Sequence, residues 1–143
     1  MEIKIASLED FDIAFDYIEK LWTYNTYDKE VIRKVYQTIL SDENSFAFFV
    51  LEGERYCGFC HGAYFNTFWL SGFTCYVSSL ITNEEVRGQG YGVFLMDHAK
   101  ALAKERGCKA IVLDSGLPRE QAHRFYERYG FEKSCYGFDY YLD

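Results

Sequence analysis

A chain of 143 residues, 49% apolar and 26% charged, fits one domain spanning 1–143 with a self-sufficient core. Its formal net charge of −7 argues against nucleic-acid binding, which draws most of its affinity from a basic face, and suits either a cationic substrate or a merely solubilising surface. No basic-plus-apolar leader opens the chain and no apolar run approaches the roughly 18 residues of a membrane span, so a cytoplasmic protein without a membrane partner is expected.

Glu2 to Ala6 alternates with the period of a half-buried strand, and Ser7, with Asp10 three residues on, reads as the cap of a helix. That helix carries Phe11, Ala14, Tyr17, Ile18 and Leu21 at helical spacing. A second is predicted over 28–40, with Val31, Val35, Tyr36 and Leu40 on one stripe. Two apolar, aromatic runs at 45–51 and 56–65, joined by a turn at 52–55, spell an antiparallel hairpin. A strand over 73–82 follows, then a glycine-rich segment, then a helix opening at Val93 and ending at Gly107. The short strand at 109–114 completes a strand, helix, strand sequence that favours a parallel pair. A helix over 119–129 capped by Gly130 and a last strand near 131–141 close the chain. Aromatic residues make up 20% of the composition, enough to line a pocket or an interface, a homodimer included.

Cys57-Gly58-Phe59-Cys60-His61 matches the C-x-x-C-H pattern of haem attachment and contains a redox-like C-x-x-C. It falls in a predicted strand, where positions i and i+3 point to opposite faces, whereas a reactive pair belongs at a helix N-terminus. A structural role is therefore expected. No second C-x-x-C or H-x-x-x-H completes a four-ligand set, so no metal is expected, and the five cysteines should be free thiols.

The chemistry concentrates in Arg87-Gly88-Gln89-Gly90-Tyr91-Gly92, between the 73–82 strand and the helix after it. Glycine brings backbone N–H groups within reach of an anion and permits positive φ, and the following helix aims free N–H groups and its positive dipole end at the same point. The segment lacks the Lys-Ser/Thr of a P-loop and the G-x-G-x-x-G spacing of a dinucleotide fold. It resembles instead the R-x-x-G-x-G segment of the GCN5-related N-acetyltransferase (GNAT) family, matched by Arg87, Gly90 and Gly92. Downstream, Phe125-Tyr126 with Gly130-Phe131 is similar to that family's F-Y-x-x-x-G-F ending.

The resemblance implies an α/β (α+β) fold with a GNAT-like mixed, mostly antiparallel sheet and helices on both faces. It further implies acetyl-CoA as cosubstrate, with Arg87, Gly88, Gln89, Gly90, Tyr91 and Gly92 holding its pyrophosphate. Backbone groups of Leu80, Ile81 and Thr82 would serve the pantetheine arm and thioester, and Tyr126 would protonate the leaving sulfur. The expected reaction is acetyl transfer to a primary amine, small-molecule or peptide, by direct attack in a ternary complex. A non-catalytic acyl-CoA-binding regulatory module is the rival reading. Where many members have Asn, seven residues before the tyrosine, this chain has Arg119, a lesser candidate for cofactor phosphates. Val77 to Ser79, where some members place a glutamate base, carry no carboxylate, which leaves Tyr76, His123 or a water chain for the proton. Trp22, Tyr24 and Tyr27, between the first two helices, lie on the side where the resemblance implies the acceptor. His61, His98 and His123 are read as structural.

Overall fold

The computed structural model describes residues 1–142. Five strands form a mixed sheet in the order β1-β2-β3-β4-β5: β1 (Glu2–Ile5), β2 (Ser45–Glu52), β3 (Arg55–Thr67), β4 (Gly72–Thr82) and β5 (Ile111–Leu113). The first four pair antiparallel with their sequence neighbours. At the approach to β5, Lys109 N–H donates to Phe73 C=O and Cys75 N–H to Ala110 C=O, so both segments advance in the same direction, as a parallel pair must. The chain divides into two compact units, Met1–Val112 and the part from Leu113 onward.

In the first unit, α1 (Phe11–Leu21) and α2 (Lys29–Ser41) cover one face of the sheet, and α3 (Tyr91–Glu105) the other. The alternation of β2 makes the division explicit. Phe49 and Ala47 join Phe11, Ala14, Phe15, Tyr17 and Phe59 in one core cluster, whereas Phe48 meets the His98 ring of α3 edge-on at 4.6 Å. Asp28 caps α2 by accepting the N–H groups of Glu30 and Val31. The second unit holds α4 (Glu120–Tyr129), which Gly130 ends at φ 123°.

The periodic elements stand where the residue pattern puts them, with two differences. The chain beyond Gly130 forms no strand among the described residues, although 131–141 alternates: Tyr136, Phe138, Tyr140 and Leu142 are all exposed, and alternation alone does not supply the partner strand that a ladder needs. The helix predicted from Val93 begins two residues earlier, so Tyr91 and Gly92 belong to its first turn.

Candidate functional site

The glycine segment is reached from β4 through Asn83 and a 3₁₀ turn at Glu84–Val86. Asn83 fixes that exit. Its side-chain amide donates to Tyr56 C=O at 2.8 Å and accepts from the Tyr17 hydroxyl at 2.5 Å, while its backbone N–H donates to Cys57 C=O at 2.9 Å. The start of the loop is thereby tied to β3 and to α1. Burial raises the Tyr17 phenol above its usual range, helped by the nearby Cys57 and Glu85, so it stays a neutral donor. Glu85 accepts from the Arg55 guanidinium at 2.7 Å, and Tyr91 donates its hydroxyl to Glu52 at 3.2 Å, so both ends of the segment are also pinned to the β2–β3 turn.

Within this frame Gly88 and Gly90 adopt φ +82° and +93°, the left-handed region that a side chain disfavours. The volume over them is open: a Cβ on Gly88 would meet nothing within 4 Å, and one on Gly90 only the Met1 methyl at 3.6 Å. Gly90 is the N-cap of α3, and the first intrahelical bond there runs from Phe94 N–H to Gly90 C=O. The N–H groups of Tyr91, Gly92 and Val93 therefore face out of the helix end. Arg87, Gly88, Gln89 and Gly90 are exposed, and Tyr91 is buried as the loop's anchor. Open glycines, outward N–H groups, a helix dipole and a cationic Arg87 suit a phosphate-bearing ligand. Sequence reasoning missed Asn83, Tyr17 and Glu52. The only local signal was a polar amide set directly after an apolar strand.

Leu80, Ile81 and Thr82 pair with Cys60, Phe59 and Gly58 of β3. With only three residues against the eleven of β4, β5 lies along the first half of that strand, so this loop-proximal end extends beyond it. Between them the β3–β4 register slips: His61 faces Ser79 and Gly62 faces Val77, which makes Ser78 the extra residue of a bulge.

In the second unit Tyr126 is buried in α4, its ring edge-on to Phe125 at 5.4 Å and to Phe131 at 5.7 Å. Its C=O accepts the N–H groups of Gly130 and Phe131, so the helix end and the aromatic contact form one knot around it. Arg119 is the N-cap of α4 and donates its N–H to Gly116 C=O; a His123 ring nitrogen lies 2.9 Å from the same oxygen.

Cys57 and Cys60 are buried free thiols in β3. Burial, with Cys75 nearby, pushes the Cys60 thiol far above its ordinary range, the opposite of what a reactive pair requires. Among the described residues no group of three or more metal-type side chains converges, and no helix is long and apolar enough to cross a membrane.

Comparison with known proteins identifies the family. The acetyltransferase (GNAT) family model matches residues 10–131. An uncharacterized N-acetyltransferase, YhdJ, of Bacillus subtilis is 39% identical over 64 residues, 44% of this chain and 45% of its own, so the match spans less than half the length of that relative. N-alpha-acetyltransferase 30 of Schizosaccharomyces pombe is 32% identical over 111 residues, 76% of this chain and 72% of its own. Among solved structures, a transcriptional regulator from Bacillus halodurans C-125 superposes with a TM-score of 0.89 at 26% identity, covering 99% of both chains. With the family model spanning most of its length, the chain belongs to the GNAT family of acetyltransferases.

Proposed function

We propose that this protein transfers the acetyl group of acetyl-CoA to a primary amine by direct attack in a ternary complex. The observation that carries the reading is the pair of open, left-handed glycines, Gly88 and Gly90, at the N-terminus of α3 directly after β4. On this reading the segment from Arg87 to Gly92 receives the pyrophosphate. Backbone groups of Leu80, Ile81 and Thr82 that β3 does not use pair with the pantetheine arm and polarise the thioester, and Tyr126 gives its proton to the departing sulfur. Family membership supports acetyl-CoA as the donor. The Schizosaccharomyces pombe relative is named for α-amine acetylation, which makes peptide N-termini the first acceptors to assay, with small-molecule amines beside them. A net charge of −7 suits an acceptor that arrives as a cation. We place the reaction in the cytoplasm.

The test joins binding to turnover. Gly90→Val puts a branched side chain at φ +93°, at the helix end where the phosphate would sit. The CoA dissociation constant should rise at least tenfold, about 1.4 kcal/mol, in a variant whose circular dichroism is unchanged. An unaltered constant removes the loop from the cofactor site. Amine-dependent release of CoA from acetyl-CoA separates a transferase from a module that only binds the cofactor.

A further inference from the structure

The reaction needs a group to take the proton that the amine nitrogen loses, and β4 carries no carboxylate around Val77 to Ser79. We propose that His61 of β3 is that proton acceptor, a role that rests on the acetyltransferase reading above. Four observations converge on it.

The first is position. Thirteen-odd single bonds separate the pyrophosphate of CoA from its sulfur, and each residue of extended chain contributes three, so the arm spans roughly four residues of strand. Where that arm pairs with Thr82, Ile81 and Leu80, as proposed above, its sulfur end would fall next to Ser79, the residue directly across from His61. The second is the bulge: the extra residue, Ser78, disrupts the ladder at this point and bends the strand next to His61, a local irregularity that re-aims side chains.

The third is the side of the sheet. His61 shares a face with Phe59 and Ala63, two residues to either side on β3, and with its cross-strand neighbours Ala47 of β2 and Ser79 of β4. Phe59 lies under α1, with Tyr17 stacked on it at 6.1 Å, so the imidazole sits on the face that α1 and α2 cover, beyond the packed cluster. An amine that reaches the thioester from this side of the sheet would meet His61 there.

The fourth is the state of the ring. His61 is half-buried and makes no hydrogen bond or ion pair with any described residue, unlike His123, whose ring reaches Gly116 C=O, and His98, packed on Phe48. Burial alone lowers its pKa to about 4, with no charged neighbour contributing, so at neutral pH it presents an unprotonated nitrogen. Such a ring is too weak a base to strip a free ammonium ion. It suits an amine that has given its ammonium proton to solvent before attack and becomes acidic as its nitrogen bonds to the carbonyl carbon. In that step the C–N bond forms, the N–H proton passes to the imidazole, the C–S bond breaks with its electron pair on sulfur, and the sulfur takes a proton from the acid. The imidazolium then returns its proton through water to the acid that protonated the sulfur, which leaves amide, free CoA and both side chains in their starting states.

His61→Gln keeps a polar side chain of similar reach and removes the basic nitrogen. With a saturating amine substrate, kcat should fall about 100-fold, the low end for general base catalysis because the ring is weakly basic, and the CoA dissociation constant should stay within twofold. His61→Ala should lose as much and regain part of it in added imidazole, which packing alone would not produce. A folded Gln variant with more than a third of wild-type kcat, or an Ala variant deaf to imidazole, overturns the assignment. Should neither variant fold, the ring ¹⁵N resonances of the wild-type protein decide. They should move when a covalent CoA–amine bisubstrate conjugate binds and not when CoA binds, and equal shifts in both overturn the role. Wild-type protein that releases no CoA with any amine defeats the transferase reading itself, whereas active wild type matched by His61→Gln defeats only His61.

Discussion

Tyr126 shows how a single hydroxyl can be separated from the ring that carries it. The ring is buried against Phe125 and Phe131, and the backbone of the same residue closes the end of α4, so the aromatic body is structural whatever the oxygen does. Tyr126→Phe keeps that packing and deletes one O–H. Acetyl-CoA KM should hold, while kcat should fall about 100-fold if the hydroxyl protonates the departing sulfur. A thiolate leaves tolerably near neutral pH, which places the loss at the low end and makes it steeper for weakly nucleophilic amines. If Tyr126→Phe keeps more than half of the wild-type rate once chemistry is shown to limit turnover, the acid is water or another side chain. His61 poses the converse problem, since its ring has no hydrogen-bonded partner among the described residues and its placement depends on strand register, which no local pattern of residues around position 61 reveals.

At the scale of elements, the start of α1 is organised around one carboxylate. Asp10, 4% exposed, accepts from Lys4 Nζ at 2.5 Å, from the Ser7 N–H and Oγ at 3.0 Å each, and from the Tyr56 hydroxyl at 2.7 Å, which joins β1, β3 and the first helical turn. Tyr36 of α2 adds a bond to Ser7 C=O at 2.6 Å. Burial by itself would raise the Asp10 pKa, but these donors outweigh it and hold the group at about 2, below its ordinary 3.8. A depressed folded pKa means stability that is present above the unfolded value and lost as pH falls through the folded one. About 2 kcal/mol should therefore disappear between roughly pH 4 and pH 2. Urea midpoints of wild type and Asp10→Asn should differ at pH 6 and converge across that window; a gap independent of pH would show that the carboxylate's charge contributes nothing. Much of this level was legible in the residues. Ser7 and Asp10 announced the helix start, period-two and helical spacing located β1 to β4 and α1 to α4, and two motifs located the loop and Tyr126. What escaped were features of pairing and contact: the Tyr17–Asn83 bond between residues 66 apart in sequence, the bulge at Ser78, and the lack of a strand among the described residues 131–142.

Across the whole molecule, the cysteines report the burial that the fold imposes on a chain containing a haem-like motif. Cys57, Cys60 and Cys75 are buried, Cys108 is half-buried and Cys135 is exposed, all as free thiols. The thiolate is the reacting species, so pKa and access act together. Burial pushes Cys75 up to about 12 and Cys60 higher still, and raises Cys108 by less. A disulfide-forming chromogenic reagent near neutral pH should therefore titrate Cys135 at once and Cys108 more slowly. The three strand thiols should react only as the sheet opens, at a rate that rises with denaturant. Under denaturing, non-reducing conditions the count should reach five. Fewer than five with an intact Cys57–Cys60 bridge, or rapid native reaction of three or more thiols, would mean that β3 does not bury this pair as the structure has it. The motif would then have to be read as chemistry rather than as packing.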